Sequence, residues 1–397
     1  MLRILCLDIE GGYGGSSRSL FKTIESISNY HKVKIDIWCK KKGPIQAKYE
    51  ELNLSCKIMP HMPKITSIDL LSRNVFQYLI WLKGQVKAQS FYSQLKEKSV
   101  EYDIIHLNHE SLHHLAKWIK INCHCKVSMH IRTQPPINFF SRSQASRIIQ
   151  YCDECIYITQ NEKKHWDKLA ANHKKGHVVY NISQSLFDHP LEKLPTSPLQ
   201  IACLSNYSWA RGTDQLISIA KILKSKKIKN IIFVIAGHTQ LSKSLPGKLG
   251  QIAKTGGTLE DYASSEGVSD YFCFKGHVTN PEKILKDSHL LIKPTRENNP
   301  WGRDIIEALG SGRPVISFGT DKTFVETGKT GFLFPVFDAE EIANKLQIIS
   351  SNIENLSKLA NTAKKRIQLL CHSKTQGDKI YNIWQSMATS VDIKPND

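Results

Sequence analysis

Short apolar stretches alternate along this 397-residue chain with segments that have the length and period of helices. Continuous apolar stretches separated by helix-length connections are typical of parallel strands that are buried on both faces of a sheet. The pattern therefore predicts an α/β protein. The predicted strands lie at 3–9, 33–39, 55–60, 102–108, 126–131, 154–159, 177–181, 199–205, 230–237, 271–277, 289–294, 313–319 and 330–335.

The strand pattern stops and then starts again, which indicates two consecutive β/α domains. The interruption at 188–200 contains three prolines and has no periodicity, so it predicts the boundary. We expect one domain at 1–190 and a second at 191–374, in line with the size limit of a single hydrophobic core. An amphipathic helix at 375–390 follows the second domain and is expected to return to the first. The tail 391–397 is expected to be disordered.

The chain is strongly basic, with 54 Lys and Arg against 36 Asp and Glu and a net charge of +18. Such a surface favours anionic partners, such as acidic lipid or a phosphorylated substrate, although simple solubility is an alternative. Arginine–aromatic interleaving is lacking, so nucleic acid is not expected. An apolar, basic stretch within 60–100 predicts either a core-packed helix pair or a surface for acidic lipid.

The location predicted from the sequence is cytoplasmic, with peripheral contact at the inner face of the cell membrane as an option. No apolar stretch of about 18 residues predicts a membrane-spanning helix, and the first residues are typical of a strand and not of a signal peptide. Ten unevenly spaced cysteines indicate reduced, buried thiols. A zinc site formed by Cys123, Cys125, Cys152 and Cys155 remains an alternative.

Three strand–loop–helix junctions carry the features of a site for an anion. At 10–20 four glycines follow the first strand and precede a helix, whose unpaired N–H groups suit phosphate or sugar oxygens. Arg211 follows the first strand of the second domain, where its guanidinium suits a diphosphate. At 295–319 the residues Pro-Trp-Gly-Arg precede a helix that contains Glu307. A carboxylate suits a diol better than a phosphate, so we expect a ligand with both phosphate and sugar.

These motifs resemble those of the retaining nucleotide-sugar glycosyltransferases of family four, which have the GT-B fold. The resemblance covers both halves and is most specific at 199–335. It implies two Rossmann-like β/α/β domains that face a central cleft, with the acceptor on the first domain and the nucleotide-sugar donor on the second. The glycine-rich loop, a His at the end of a middle strand and the tract at 178–187 carry the resemblance in the first half.

The resemblance also assigns residues to roles. Arg211 lies where the family has a Lys, Asn206 where an Arg is usual, and Asn299 replaces the first of two glutamates, of which Glu307 matches the second. The implied catalytic residues are His130, Arg211 and Glu307. The implied donor-binding residues are Gly14, Gly15, Asn206, Asn299, Trp301, Gly302, Arg303 and Glu307. The implied acceptor-binding residues are Gly12 and Arg132.

The function implied is transfer of a hexosyl group, with retained anomeric configuration, from a UDP- or GDP-linked sugar to a glycan or lipid-linked glycan. A role in bacterial envelope polysaccharide assembly, such as that of lipopolysaccharide, would follow. No cofactor is expected, and no Asp-x-Asp motif calls for a metal ion. The alternatives are a sugar-nucleotide epimerase and a non-catalytic nucleotide-sugar or glycan-binding protein. A dinucleotide-dependent oxidoreductase is disfavoured because neither glycine loop is G-x-G-x-x-G.

Overall fold

The computed structural model describes residues 1–12, 14–63, 79, 82–84, 86–170, 176–183 and 197–389. The chain divides into two compact units. The first contains Met1–Ile182 together with the C-terminal segment from Ser373, and the second contains Ser183–His372. Three predicted features lie outside the described residues: the boundary segment 188–200 as far as residue 196, residues 64–78 of the apolar, basic stretch, and the tail 391–397.

The first unit is built on a parallel sheet. Its described strands are β1 (Leu2–Asp8), β2 (Val33–Cys39), β3 (Ser55–Ile58), β4 (Ile104–Leu107), β5 (Lys126–Ile131), β6 (Glu154–Tyr157) and β7 (Gly176–Val178). They lie in the order β3-β2-β1-β4-β5-β6-β7, and every neighbouring pair is parallel. All four residues of β4 and five of the seven in β1 are buried. Burial on both faces is the reason why these strands are continuously apolar.

The described helices of the first unit cover both faces of this sheet. They are α1 (Gly15–Tyr30), α2 (Ile45–Glu51), α3 (Gln89–Ser99), α4 (His113–Asn122), α5 (Phe139–Tyr151), α6 (Gln160–Leu169) and the last helix of the chain, α14 (Ser373–Thr389). Helix α14 packs on α1, where the Ser26 hydroxyl donates to the carbonyl of Ser373 at 2.8 Å. The predicted C-terminal helix thus lies in the first unit, although it follows the second in sequence.

The second unit repeats the architecture with fewer strands. Those described are β8 (Leu199–Leu204), β9 (Ile231–Ala236), β10 (Phe272–Gly276), β11 (Leu290–Lys293), β12 (Val315–Phe318) and β13 (Gly331–Phe334). They lie in the order β10-β9-β8-β11-β12-β13 and are parallel throughout. The helices are α7 (Gln215–Ser225), α8 (Gly247–Lys254), α9 (Leu259–Ser265), α10 (Pro281–Lys286), α11 (Arg303–Gly310), α12 (Ala339–Ser351) and α13 (Asn355–Cys371).

The prediction of an α/β protein with two Rossmann-like parallel sheets is confirmed. Each of the thirteen predicted strands is present, most of them a few residues shorter than the apolar stretch that predicted it. The predicted strands are longer because the apolar residues that follow a strand also pack into the core at the start of the loop. In the part of the chain described above, no helix combines the length and the apolarity that crossing a membrane would need.

Candidate functional site

Each sheet has a point where the strand order reverses direction. Most of the predicted site residues follow the strands at these points, whereas His130 lies in β5 and Arg132 follows it. In the first sheet, β1 lies between β2 and β4; in the second, β8 lies between β9 and β11. The carboxyl ends of the two strands at a reversal point leave a crevice in which open parallel sheets bind their ligands. The loop 9–14 follows β1, and the loops 205–214 and 294–302 follow β8 and β11.

Helix α11 begins with a combination of residues that favours an anion. Its first residue is Arg303, whose guanidinium donates to Glu307 Oε1 from Nε at 3.1 Å and from Nη2 at 2.9 Å. A cation at the first position of a helix opposes the positive end of the helix dipole, at a cost of about 0.3–1 kcal/mol. The N–H of Ile305 already donates to Asp304 Oδ1 at 3.0 Å, so an anionic ligand would remove this cost and would meet the N–H groups before Ile305.

The residue before this helix must be glycine. Gly302 has a φ of 149°, which favours glycine over residues with a side chain. A Cβ at this position would lie 2.5 Å from Asp304 Oδ1 and 3.1 Å from Lys293 Nζ. The absence of a side chain at Gly302 therefore keeps the start of α11 open and brings a second cation next to it.

That second cation, Lys293, was missed by the sequence reasoning. It is the last residue of β11, is only 6% exposed, and donates from Nζ to the carbonyl of Trp301. Its ammonium nitrogen also lies 6.0 Å from the centroid of the Trp301 ring. A lysine that ends an otherwise apolar strand, as in His-Leu-Leu-Ile-Lys-Pro, was the signal that could have identified it.

The loop before α11 contains polar side-chain atoms that are buried without a partner. In the described part of the chain, Asn299 Oδ1 and Trp301 Nε1 make no hydrogen bond. Buried polar groups are almost always satisfied in folded proteins, and an unsatisfied one costs about 1–3 kcal/mol. Unpaired atoms in a loop at the reversal point of a sheet are therefore candidate ligand contacts.

The loop after β8 contains two further predicted residues, one of which is exposed and the other hydrogen-bonded within the unit. Arg211 is exposed and lies in the loop, four residues before the start of α7. Asn206 accepts a hydrogen bond at its side-chain oxygen from the backbone N–H of His238 at 2.8 Å. Asn206 thus ties the loops after β8 and β9 together, which is a structural task in addition to the predicted donor contact.

An ion pair that the sequence reasoning missed joins the loops after β8 and β11. The Arg296 guanidinium donates to both carboxylate oxygens of Asp214, at 2.9 and 2.6 Å, and to the carbonyl of Trp209 at 2.7 Å. It also stacks on the Trp209 ring, 3.6 Å from the centroid. This arrangement fixes the loop of Arg211 against the loop of Asn299. No local pattern could have identified it, because its two charges are 82 residues apart.

The glycine-rich loop of the first unit has two different kinds of glycine. A Cβ at Gly11 would overlap the carbonyl oxygen of Lys41, so Gly11 is required for packing. At Gly12 and Gly14 a Cβ would meet nothing within 4 Å among the described atoms. Gly15 begins α1, and no side chain caps this helix start. The predicted contacts Gly12 and Gly14 therefore lie beside open space, and Gly15 lies at a helix start without a side-chain cap.

A buried polar network lies next to this loop and connects the end of β1 with α1 and with the residue after β4. Asp8, at the end of β1 and fully buried, accepts from the Ser17 hydroxyl at 2.6 Å and from the Asn108 amide at 3.0 Å. Arg132 donates from Nη2 to Asn108 Oδ1 at 2.6 Å and from Nε to the Asn108 carbonyl at 2.8 Å. The structure thus gives the predicted acceptor-binding residue Arg132 a supporting task within the unit, since its guanidinium is bound in this network.

His130 lies at the end of β5 and is 3% exposed. Its Nδ1 is 2.9 Å from Nε2 of His106, a fully buried residue of β4 that the sequence reasoning missed. Burial, assisted by the positive charge of Arg132, lowers the pKa of His106 to about 3 and holds the pKa of His130 well below its usual range. Both imidazoles are therefore neutral at pH 7. A histidine in the middle of an apolar strand was the available signal for His106.

The zinc alternative is not supported. No group of three or more His, Cys, Asp or Glu side chains that could hold a metal ion occurs among the residues the structure describes, which include all ten cysteines. Cys125 instead donates to the carbonyl of Ser99 at 3.0 Å. Burial raises the pKa of Cys125 to about 12 and holds the pKa of Cys152 above its usual range, so these thiols remain protonated.

The two parallel-sheet Rossmann-like units have the GT-B fold, because structures of GT-B glycosyltransferases are similar over 97–98% of the chain. The chain also carries a family match: residues 187–366 match the model described as glycosyl transferases group 1. No curated protein sequence matches the chain. The family match and the fold together support a nucleotide-sugar glycosyltransferase.

Three solved structures illustrate the similarity. The Anabaena protein Alr3699/HepE, in complex with UDP and glucose, has a TM-score of 0.77 and 16% identity, over 97% of this chain and 100% of that one. Sucrose-phosphate synthase from Thermosynechococcus elongatus has a TM-score of 0.75 and 14% identity, over 98% and 99%. The lipopolysaccharide outer core galactosyltransferase WaaB has a TM-score of 0.65 and 14% identity, over 97% and 100%.

Proposed function

We propose that this protein is a retaining glycosyltransferase that moves a hexosyl group from a nucleotide-diphosphate sugar to a glycan or lipid-linked glycan. The observation that carries the proposal is the start of α11, where Arg303 is held on Glu307 beside Gly302. This arrangement offers a cation and helix N–H groups to a diphosphate, and a carboxylate to sugar hydroxyls. The family match, which includes this helix, supports the same assignment.

On the donor side, the proposal gives each group a task. The diphosphate is bound by Arg211, Arg303 and the N–H groups that follow Gly302. Glu307 accepts hydrogen bonds from the ribose hydroxyls, and Asn299 contacts the transferred sugar with its uncharged amide. Complexes of Alr3699/HepE with UDP and with UDP-glucose make a UDP-linked donor the first to test.

In the proposed reaction, the bond between the anomeric carbon and the β-phosphate oxygen breaks as the acceptor oxygen bonds to the same face of that carbon. The acceptor hydroxyl gives its proton to the leaving phosphate, so no protein nucleophile, cofactor or metal ion is needed. The residues position the reactants and stabilise the charge that develops on the leaving group. His130, which is neutral, contacts the transferred sugar or the acceptor, and the loop of Gly12 lies on the acceptor side.

A lipid-linked acceptor at the inner face of the cell membrane fits one surface of the first unit. Ile137 and Phe139 are 50% and 79% exposed just before and at the start of α5. Two exposed cations follow, Arg142 on the same helix and Lys168, whose carbonyl accepts from Arg142 at 3.3 Å. Exposed apolar side chains flanked by cations suit a surface of anionic lipid. An envelope polysaccharide pathway, such as that of lipopolysaccharide, would supply such an acceptor.

Binding calorimetry with UDP, GDP, ADP and their common sugar conjugates tests the donor site. We expect one nucleotide to bind selectively, and Glu307→Ala and Arg303→Ala to weaken it roughly tenfold or more, the loss of a charged hydrogen bond. The matched controls are Glu340→Ala and Lys226→Ala, which remove the exposed Lys226–Glu340 ion pair of the same unit. Equal affinity in all variants would contradict the proposed site.

Product analysis then separates the function from its alternatives. Transfer to an acceptor with the anomeric configuration of the donor is the expected result. Conversion of the free nucleotide sugar without an acceptor would instead identify an epimerase. Tight donor binding without turnover on any acceptor fraction would favour a non-catalytic binding protein.

Flotation with lipid vesicles tests the membrane contact. We expect the protein to float with vesicles that contain anionic phosphatidylglycerol and not with phosphatidylcholine alone. Phe139→Ser should abolish flotation, whereas Leu369→Ser, which changes a residue 74% exposed in the second unit, should not. Equal flotation of both variants would reject this surface.

A further inference from the structure

A chain of four hydrogen-bonding side chains runs through the interior of the first unit and ends at His130. The indole nitrogen of Trp384, on α14, donates to the Ser128 hydroxyl at 3.1 Å. The same hydroxyl oxygen is 2.8 Å from His106 Nδ1, and His106 Nε2 is 2.9 Å from His130 Nδ1. Trp384, Ser128 and His106 are fully buried and His130 is nearly so.

The direction of this chain follows from what each group can donate. An indole N–H is only a donor, so the Ser128 oxygen accepts from Trp384 and its own proton still needs an acceptor. Within the described residues, His106 Nδ1 is the acceptor available to the Ser128 hydroxyl proton. A buried hydroxyl proton without an acceptor would cost about 1–3 kcal/mol, so Ser128 donates to His106 Nδ1.

The same reasoning continues through the two imidazoles. Burial is the main reason why the pKa of each imidazole is low, so each is neutral at pH 7 and carries one ring proton. Because His106 accepts at Nδ1, its proton is on Nε2, which donates to His130 Nδ1. His130 in turn accepts at Nδ1, so its own proton is on Nε2.

We propose that His106 is a positioning residue that, with Ser128 and Trp384, fixes His130 in the tautomer protonated on Nε2. This inference rests on the proposed function for its catalytic meaning. His130 then offers the sugar or acceptor an N–H donor and has no free ring nitrogen with which to act as a base. That agrees with a reaction in which the leaving phosphate, and not a side chain, takes the acceptor proton.

The inference also gives a task to the C-terminal helix. Trp384 lies 256 residues after Ser128 in sequence, yet it supplies the donor that sets the direction of the whole chain. Without an indole N–H, the Ser128 oxygen could accept from His106 Nδ1 instead. Every bond would then reverse, and Nε2 of His130 would become an acceptor.

The test is a long-range ¹H–¹⁵N spectrum of the full chain labelled at histidine, recorded at pH 7. His130 and His106 are assigned by the signals lost in His130→Gln and His106→Gln. We expect both residues to have a protonated Nε2 and an unprotonated Nδ1. A proton on Nδ1 of His130, or on both of its nitrogens, would overturn the proposal, and the tautomer itself is read on the unaltered protein.

Two variants test the origin of the tautomer. In Ser128→Ala the direction is no longer set, so we expect a mixture of His130 tautomers. Ser146→Ala, which removes an exposed hydroxyl bonded to a helix carbonyl of the same unit, should leave the spectrum unchanged. An unchanged spectrum in Ser128→Ala would overturn the role given to Ser128.

Activity measurements connect the tautomer to the reaction. We expect His106→Leu to lower kcat by about tenfold or more with an unchanged donor Kd, as the loss of one oriented hydrogen bond predicts. His106→Gln, whose amide can still donate to His130 Nδ1, should restore much of the rate. Equal rates in both variants would reject the positioning role. A chain that binds no nucleotide would refute the proposed function while leaving the tautomer result intact.

Discussion

Replacing Arg296 with alanine should destabilise the second unit and loosen the loop of Arg211. The carboxylate of Asp214, whose side chain is only 7% exposed, would lose both of its hydrogen bonds from the guanidinium. Breaking a buried ion pair costs about 3–5 kcal/mol. The Arg296 side chain is 23% exposed, so solvent screening reduces this cost to about 2–3 kcal/mol. Loss of the stacking on Trp209 adds about 0.5–1 kcal/mol.

A total of about 3 kcal/mol corresponds to a fall in Tm of roughly 6–12 °C for a unit of this size. Scanning calorimetry of the full chain measures the fall, and hydrogen exchange in peptides covering 205–214 and 294–302 assigns it to these loops. Arg296→Lys keeps the charge but not the two parallel bonds, so its Tm should be intermediate. Lys226→Ala, in an exposed pair, should change the free energy of unfolding by less than about 0.5 kcal/mol.

A double-mutant cycle with Asp214→Ala decides whether this account is right. If the pair carries the effect, the double variant should be more stable than the sum of the single losses predicts, with a coupling of about 2 kcal/mol. Additive losses, with a coupling below about 0.5 kcal/mol, would refute the reasoning. They would place the cost in packing alone.

Three other predictions follow from the same contacts. Gly302→Ala should weaken nucleotide binding about tenfold or more, since a φ of 149° strains any residue with a Cβ at the start of α11; unchanged affinity in calorimetry would contradict this. Gly11→Ala should lower the Tm markedly, whereas Gly12→Ala should leave the Tm unchanged and impair turnover. Equal Tm values for the two variants would disprove the different roles given to these glycines. Burial lowers the pKa of His106 to about 3 and holds the pKa of His130 well below its usual range, so urea unfolding should become easier as pH falls below about 6.5, because the unfolded chain then binds the extra protons. A flat free energy of unfolding between about pH 6.5 and 4.5 would contradict that assignment.

Much of the fold could be predicted because it depends on local patterns of apolar and polar residues. An apolar strand and an amphipathic helix are each recognised within some ten residues, and strict alternation of the two leaves a parallel sheet as the solution. The start of α11 was equally visible, since Gly302, Arg303 and Glu307 lie within six residues of one another. The contact between Arg303 and Glu307 follows from their i,i+4 spacing on one helix. The sequence could not reveal that Lys293 lies beside Gly302.

The sequence by itself determined which segments become strands, where glycines open the loops, and which helix start carries charge. Only the tertiary structure decided which side chains contact one another. His106 pairs with Ser128 across β4 and β5, and His130 lies two residues further along β5 on the same face. The side chain of His106 therefore contacts both. Such contacts depend on strand order and register, which are set by how the whole sheet buries its two faces and not by the residues near any one position.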